Sequence, residues 1–513
     1  MKDIIFAFEV HQPFRMDRRF FWERKMFKQR RKEELFEYYF DNEVNRRVFE
    51  RASEKCYIPT NKILLDLIDL YKREKKRVRL AFSLSGVFLE QCERFGEDVL
   101  DYFKQMAGSG CVEFLEQTYY HSLSGLYSEK DEFKEQITMH RNAMRDLLKY
   151  EPRFFENTEL LYNNDIARAV EEMGYVGIFT EGIERILGSR SPNHIYKAEG
   201  CRELRVLLRN YKLTDDIGFR FSDKSWPEWP LTAEKYLEWL KATEGECISI
   251  FPDYETFGEH HWPETGIQEF LAELIQKIME SEDLNLSTPS EAISKYRPVG
   301  TVNVPGKKVV SWADLERDAS CWLGNTMQWA YYTSVKRLKP LVREAEDPFF
   351  LSLWRHLQTS DHLYYMFTGG GGPAEVHSYF SLFEKPIDAF LTAQAVVLDF
   401  EMRLRLFTIG VGNVFKFYTG IGKKRYTGIE AWSLKGFIKA LEEVDEQSLT
   451  FHSRRRDFER WAEFSLKSKG LAEEFKSIRK ANLSGEKLRE ALLQASKKYF
   501  EKMQMKTQAL GYY

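Results

Sequence analysis

The stretch that decides the fold is CISIFPDYETFGEHHW, at residues 247–262. Its first five residues form a short apolar run, which is typical of a buried strand. The chain then presents three carboxylates, two imidazoles and three aromatic rings. A buried strand that ends at such a cluster indicates the active-site end of a barrel or sheet. A solvated loop is the alternative, but charged loops seldom carry Tyr254, Phe257 and Trp262 among their charges.

Six further apolar runs precede this one, and helical patterns separate most of them. Strands that alternate with helices predict parallel β/α units, and seven within the first 251 residues predict a barrel rather than an open sheet. The runs lie at 4–10, 78–84, 111–115, 157–162, 175–179, 204–208 and 247–251.

The pattern changes after the barrel, where most apolar residues recur at helical spacing. We therefore predict three domains: a catalytic β/α barrel at 1–300, a helical domain at 301–400 that contributes to the active-site cleft, and a helical extension at 401–513. The run Gly369–Pro373 is interpreted as a connector, because no strand precedes it and no Lys-Ser/Thr pair follows, as a phosphate-binding loop requires.

Composition excludes several classes of protein. The chain has 513 residues and a net charge of -3, which gives no electrostatic reason to expect a nucleic-acid or membrane partner. Its six cysteines are far apart and form no C-x-x-C pair, so neither a zinc finger nor a disulfide framework is expected. We see no signal peptide and no apolar run of spanning length, and therefore expect a cytoplasmic protein. The oligomeric state stays open.

Polar side chains follow nearly every predicted strand. In a closed β/α barrel these ends meet on one face, where active sites are built. Two of the side chains, Glu159 and Asp253, are carboxylates on different strands, which is the usual equipment for glycoside hydrolysis. The residues do not reveal which carboxylate takes which role. The strand-end groups are His11, Glu113 or Glu116, Glu159, Glu181, Asn210 and Asp253.

Two other functions compete with glycoside hydrolysis. A metal-dependent deacetylase or phosphoesterase barrel would place its ion among His11, Asp215, Asp216, His260 and His261. The chain has no H-E-x-x-H or H-x-H spacing, and adjacent side chains in a strand point apart, so we predict no metal site. The second competitor is a barrel that binds glucan without cutting it.

Two tryptophans are candidate platforms for sugar rings. Trp226 and Trp262 each lie in a polar, proline-containing stretch near the expected mouth of the barrel. Burial in the core is the commoner fate of a tryptophan and is the alternative for both.

Five short motifs, in order, resemble those of glycoside hydrolase family 57, and most closely its α-amylase branch. The fourth of them, the Asp-x-Glu-x-Phe-Gly motif, is the most specific. The five matches are His11-Gln12-Pro13, Gly110-Cys111-Val112-Glu113-Phe114-Leu115, Asn157-Thr158-Glu159-Leu160, Asp253-Tyr254-Glu255-Thr256-Phe257-Gly258 and Ser360-Asp361-His362-Leu363-Tyr364-Tyr365-Met366.

The resemblance implies a fold and an activity. The fold is an incomplete seven-stranded β/α barrel followed by a helical domain. The activity is retaining, cofactor-free cleavage of α-1,4-glucans or maltooligosaccharides, with or without transglycosylation. Glu159 would be the nucleophile and Asp253 the acid/base. His11, Glu113, Glu255 and Asp361 would line the donor-sugar site.

One departure from the family pattern bears on acceptor preference. The third motif lacks the Arg and Trp that follow its Glu in the family's glucanotransferases, and Leu160, Leu161 and Tyr162 stand there instead. This favours an α-amylase over a 4-α-glucanotransferase or a branching enzyme.

Overall fold

The computed structural model describes residues 1–306, 308–369, 381–509 and 511. Residues 370–373 of the predicted connector lie outside this part of the chain. The chain divides into two compact units. The first comprises Met1–Arg15, Asn42–Gln328 and Gln358–Pro386, and the second comprises Met16–Asp41, Trp329–Leu357 and Ile387–Tyr513.

The first unit is built on parallel strands. Seven of them correspond to the predicted strands, although β4 lies just before the predicted run at 157–162, where Thr158–Leu160 form a short 3-10 helix; β6, β9 and β10 are additional. The strands are β1 (Lys2–Val10), β2 (Leu80–Leu84), β3 (Val112–Leu115), β4 (Phe154–Phe155), β5 (Gly177–Glu181), β6 (Tyr196–Ala198), β7 (Arg205–Arg209), β8 (Cys247–Ile250), β9 (Leu284–Leu286) and β10 (Thr301–Val302).

The seven predicted strands form a closed ring. Parallel pairs join β1 to β2, β2 to β3, β4 to β5, β5 to β7, β7 to β8 and β8 to β1. A single parallel bridge between Glu116 and Phe155 joins β3 to β4. There the Glu116 N–H donates to the Phe154 carbonyl at 2.9 Å, and the Glu156 N–H donates to the Glu116 carbonyl at 2.8 Å. The predicted fold class, a seven-stranded β/α barrel, is confirmed.

The three additional strands lie outside the ring. β9 extends the sheet beside the first residues of β1, β6 pairs antiparallel with β7, and β10 pairs with β6. Each has three residues or fewer, which is too short to produce a recognisable periodic pattern in the sequence.

The pleat of each strand separates the helix-facing side chains from the barrel interior. On β1, Phe6 and Phe8 pack in the cluster that contains the surrounding helices, whereas Ile5 and Ala7 belong to a smaller cluster drawn from nearly all the strands. Successive residues alternate between the two faces, so the next inward position on β1 is Glu9. On the other ring strands, the residue two positions after an interior apolar residue occupies the corresponding inward position. These residues are Ser83, Gln117, Glu156, Glu181, Arg209 and Asp253.

Helices cover the ring, and none in the described part of the chain is long and apolar enough to cross a membrane. The helices of the first unit are Asn42–Ala52, Ile58–Leu70, Gly86–Phe95, Glu97–Ser109, Asp131–Leu148, Asn164–Glu172, Glu184–Leu187, Tyr211–Asp215, Ala233–Ala242, Ile267–Glu280, Pro289–Lys295, Ser320–Leu323 and Ser360–Tyr364. Helices Thr326–Lys336 and Pro386–Thr408 each begin in the first unit and continue in the second.

The second unit is mainly helical, with one antiparallel hairpin of β11 (Gly410–Tyr418) and β12 (Tyr426–Ser433). The prediction of helices from 401 onward missed this hairpin. Aromatic side chains such as Phe415 and Phe417 on β11 pack against the helices behind it. The helices are Leu35–Tyr39, Lys339–Ala345, Pro348–His356, Leu434–Glu443, Glu446–Arg454, Asp457–Phe464, Lys469–Lys480 and Gly485–Ala509.

The predicted boundaries at 300 and 400 do not coincide with the two units. Residues 301–328 and 358–386 belong to the barrel unit, because short bridges tie them to its strand ends. Val310 pairs with Tyr162, and Thr359 pairs with Ser122. Such pairings between distant segments leave no signal in local composition.

Candidate active site

A cavity opens at the carboxyl ends of the ring strands. It holds about 1270 Å³ of empty space, its open mouth included, which is ample for a small-molecule ligand. All of its lining belongs to the first unit. The lining includes His11, Glu159, Asp253, Glu255 and Asp361 from the predicted set, and also Glu9, Arg15, His121, Arg209, Phe219, His260, Trp312, Arg317, Trp322, Tyr364 and Tyr365.

Glu159 lies on a turn with unusual backbone geometry. Its φ is 60°, and that of the following Leu160 is 51°, so two consecutive residues with Cβ atoms occupy the left-handed region. Such a conformation costs about 1–3 kcal/mol per residue and persists only where the surroundings impose it. Strain of this kind is concentrated at functional sites.

The Glu159 carboxylate is held by donors from two other segments. The Trp312 indole N–H donates to Oε2 at 2.7 Å, and the Ser360 hydroxyl donates to Oε1 at 3.1 Å. The His121 Nε2 lies 3.5 Å from Oε1. These donors favour an anionic carboxylate in a fixed orientation, which is what a nucleophile requires.

The segment that carries Trp312 is anchored on both sides. The Ser311 hydroxyl donates to the Glu159 carbonyl at 3.0 Å. The Arg317 guanidinium donates to the Trp312 carbonyl at 2.9 Å and also to the carboxylates of Glu181 and Asp215. Trp312 is therefore fixed from both ends of its loop.

Arg209 completes a buried cluster with these two carboxylates. Its guanidinium donates to Glu181 and to Asp215, each at 2.8 Å, and to the Phe251 carbonyl. Two arginines thus face two carboxylates, so the charges compensate one another. The cluster joins the ends of β5 and β7 to the Trp312 loop.

Asp253 occupies a different environment from Glu159. Burial raises the pKa of Asp253 to about 7, and the negative charge of Glu159 adds to the increase, against the opposing effect of Arg209 and His121. An acid with this pKa can both donate and accept a proton near neutrality. The two carboxyl groups therefore differ in the way that separates an acid/base from a nucleophile.

His11 and Asp361 form a pair at the cavity wall. His11 Nε2 lies 2.8 Å from Asp361 Oδ2, and its Nδ1 lies 2.7 Å from the Ser85 hydroxyl. Burial and the neighbouring His121 lower the pKa of His11 to about 4. Burial alone would raise the pKa of Asp361, but the contact with His11 keeps it lowered. Hence we assign a neutral His11 that donates from Nε2 to an ionised Asp361.

His121 stacks on His11, with ring centroids 3.9 Å apart, and lies beside Glu159. Its Nδ1 is 2.9 Å from the Gln117 side-chain oxygen, which leaves Nε2 facing the carboxylate. Burial disfavours charge on His121, but Glu159 and Glu9 outweigh it and raise its pKa to about 8. At neutral pH His121 therefore places a positive charge against Glu159.

Glu255 lies deeper in the wall. The Tyr57 hydroxyl donates to its Oε1 at 2.6 Å, and the His11 N–H donates to the same oxygen at 3.3 Å. Burial and the nearby Asp253 raise the pKa of Glu255 well above its usual range.

Three predicted substrate-binding residues do not line the cavity. The Glu113 carboxylate accepts hydrogen bonds from the N–H and hydroxyl of Ser290, at the start of helix Pro289–Lys295, and lies away from the cavity. Trp226 packs edge-to-face on Trp239. Trp262 lies under the Lys55 ammonium, 3.8 Å from the ring centroid.

The metal alternative receives no geometric support. Among the residues that the structure describes, no three His, Cys, Asp or Glu side chains are grouped to hold a metal ion. Both ring nitrogens of His261 are engaged, one with the Ser222 hydroxyl and the other with the carbonyls of Ile217 and Gly218. Asp215 is occupied by the two arginines described above.

Sequence reasoning missed several cavity residues. Glu9 and Arg209 occupy the last inward positions of their strands, where a strict count of alternate residues would have found them. His121 lies in a loop beyond β3. No local signal connects it to Glu159.

Replacing Trp312 by phenylalanine is expected to lower kcat/KM about 10- to 100-fold. The change removes the N–H that donates to Glu159 and keeps an aromatic ring against Phe251, and a hydrogen bond to a charged group contributes about 1.5–3 kcal/mol. Steady-state kinetics on maltooligosaccharides measures the effect. The matched control is Trp226→Phe, outside the cavity, which should leave the kinetics unchanged. Equal effects of the two changes would contradict a specific contact.

A seven-stranded β/α barrel with two unlike carboxyl groups at the carboxyl ends of its strands is the architecture of a glycoside hydrolase that uses paired acids. The model of glycosyl hydrolase family 57 matches residues 5–305. The chain belongs to this family and is an enzyme of the glycoside hydrolase class.

Similar proteins carry three related activities in their names. A Methanocaldococcus jannaschii protein named "Putative alpha-amylase" is 42% identical over 410 residues, which cover 78% of this chain and 85% of that protein. An alpha-amylase of Pyrococcus horikoshii and a 4-alpha-glucanotransferase of Thermococcus litoralis are each 26% identical over half of this chain. The matches span only 39% and 38% of those two proteins.

Solved structures share the fold. The 4-alpha-glucanotransferase of Thermococcus litoralis superposes with a TM-score of 0.53 and 19% identity, over 81% of this chain and 61% of that one. A family 57 branching enzyme of Pyrococcus horikoshii gives 0.54 and 15%, over 79% and 90%. The architecture is therefore common to relatives whose named reactions differ.

Proposed function

We propose that the chain is a retaining glycosidase that hydrolyses α-1,4-glucans, with Glu159 as nucleophile and Asp253 as acid/base. The observation that carries the proposal is the contrast between these two groups in one cavity. The Glu159 carboxyl group accepts hydrogen bonds from Trp312 and Ser360, whereas burial raises the pKa of Asp253 to about 7.

The reaction takes two steps. In the first, a Glu159 oxygen attacks the anomeric carbon while Asp253 gives its proton to the leaving glycosidic oxygen, and a covalent glycosyl-enzyme forms. In the second, Asp253 removes a proton from water, which attacks the same carbon and releases Glu159. His121 stabilises the Glu159 carboxylate as it leaves, since its pKa keeps it charged at neutral pH.

The remaining wall residues suit a sugar ring. Asp361 and the neutral His11 offer an acceptor and a fixed dipole for hydroxyl groups, and Glu255 is a further polar group on the same wall. Trp312, Trp322 and Tyr364 provide aromatic surface. A relative that is 42% identical over 78% of this chain is named "Putative alpha-amylase", which favours hydrolysis of a glucan.

Transfer between glucan chains is the second candidate, because some relatives are named 4-alpha-glucanotransferase or branching enzyme. The deciding experiment incubates the protein with maltooligosaccharides of defined length and resolves the products. We expect shorter products only, which means hydrolysis. Longer and shorter products together would mean 4-α-transfer, and new 1,6-linkages would mean branching. Binding without any product would contradict an enzyme of this kind.

A further inference from the structure

Two more acids lie beneath the nucleophile. Glu9 ends the inward row of β1, and Glu156 follows β4 in the same layer. Their exposed fractions are only 2% and 1%. The two-step reaction uses neither side chain, yet burying two carboxyl groups is costly unless they have partners. Their contacts suggest what they do.

Glu156 contacts the strained turn directly. Its Oε1 accepts the N–H of Leu160 at 3.3 Å, and its Oε2 accepts the Ser83 hydroxyl at 3.0 Å. Leu160 directly follows Glu159, and both have positive φ. The carboxyl group of Glu156 is therefore bonded to the backbone that presents the nucleophile.

Glu9 completes the arrangement. The Gln117 side-chain amide donates to Glu9 at 2.9 Å and to the Ser83 hydroxyl at 2.7 Å. Because the same hydroxyl donates to Glu156, Gln117 and Ser83 together connect the two acids. Burial raises the pKa of Glu9 well above its usual range and that of Glu156 to about 8. Glu156 is therefore mainly protonated at neutral pH.

The other charged groups that face the pair are His121, Glu159 and Glu255. Burial raises the pKa of Glu255 well above its usual range. A fully ionised pair would add a second negative charge next to Glu159, whereas a singly protonated pair holds the turn with less repulsion. His121 Nδ1 lies 3.5 Å from Glu9, and its positive charge balances the negative charge that remains on the pair.

We propose that Glu156 is a positioning residue: its carboxyl group, held by Ser83, fixes the Leu160 N–H and so aims Glu159 at the anomeric carbon. This inference rests on the proposed role of Glu159 as nucleophile. A displacement of about 1 Å in a reacting group can cost about 100-fold in rate, so the turn needs such a contact.

The test measures the first chemical step with a ring-fluorinated α-glucosyl fluoride, which labels the nucleophile of a retaining enzyme. Glu156→Gln keeps an acceptor for Leu160 and should label within about threefold of the wild-type rate. Glu156→Leu loses the acceptor and should label about 100-fold more slowly at an unchanged half-saturating concentration. Glu156→Met, which fills space flexibly, takes its place if the leucine variant does not fold, with the same expected loss.

Glu116→Leu is the matched control. Glu116 is equally buried, is bonded by His140 and Tyr175, and lies outside the cavity. Its variant should melt at a lower temperature and label at the wild-type rate. Wild-type labelling by Glu156→Leu, or equally slow labelling by Glu116→Leu, would overturn the inference. Peptide mapping identifies the labelled residue, and a wild-type label on any residue other than Glu159 would overturn the proposed function as well.

Discussion

Replacing Glu159 by alanine is expected to reduce kcat on maltooligosaccharides at least about ten-thousand-fold. In the proposed mechanism Glu159 forms the covalent intermediate, and losing a nucleophile commonly costs this much or more. The protein should remain folded, because the alanine Cβ leaves the strain of the left-handed turn as it is and the loss is confined to the bonds from Trp312 and Ser360. Steady-state kinetics and a thermal melt measure both quantities.

Rescue by added azide is a more specific test of this prediction. In Glu159→Ala, azide can enter the space of the lost carboxylate and attack an activated α-glucosyl substrate, which gives the β-glucosyl azide. The matched control is Glu113→Gln, since Glu113 is also a buried motif glutamate but bonds to Ser290. It should keep activity within about threefold, as expected away from the site. A Glu113→Gln variant as inactive as Glu159→Ala would contradict the assignment of the site.

Much of the fold could be predicted because the barrel is built from local patterns. Each of the seven ring strands carries a short apolar run, and periodicity reveals such runs without knowledge of their partners. The β3–β4 junction, a single bridge at Glu116 and Phe155, follows from closure rather than from sequence. Hairpin β11–β12 was missed because the helical pattern on both sides of it dominates.

The candidate site was only partly predictable, for two physical reasons. Strand pleating gives Glu9, Glu156 and Arg209 their inward positions, and the pattern was available in the sequence but was not counted. Trp312 is different, because it lies 153 positions from the Glu159 that it contacts. Pairing of distant segments depends on tertiary packing, which no local window reveals.

The position of Glu113 also depends on structure that no local window of sequence reveals. The motif places a glutamate on β3, but the strand end lies beyond it, and the side chain points to the start of helix Pro289–Lys295. A motif identifies a position in the chain, whereas the register of a strand decides which end of the barrel that position faces. For this residue the register opposes a direct role in binding sugar.

Replacing Asp253 by asparagine is expected to lower kcat on maltooligosaccharides by about 100- to 10,000-fold, the range of general acid/base catalysis. Asparagine has nearly the same shape but cannot give a proton to a poor leaving group. A glucosyl fluoride needs no such proton, so the variant should still form the covalent intermediate on Glu159 near the wild-type rate and then hydrolyse it slowly. Quench experiments on the labelled protein separate the two steps.

The pH profile decides whether Asp253 is the acid. Its pKa is about 7, and the first step needs the protonated form, so the wild-type kcat/KM on maltooligosaccharides should be full below that value and fall as the pH rises through it. Glucosyl fluoride bypasses the acid, so the fall near pH 7 should disappear with this substrate. Deprotonation of His121, whose pKa is about 8, should lower the rate at higher pH with both substrates. If the fall near pH 7 persists in the Asp253→Asn variant with glucosyl fluoride, then another group causes it and Asp253 is not shown to be the acid.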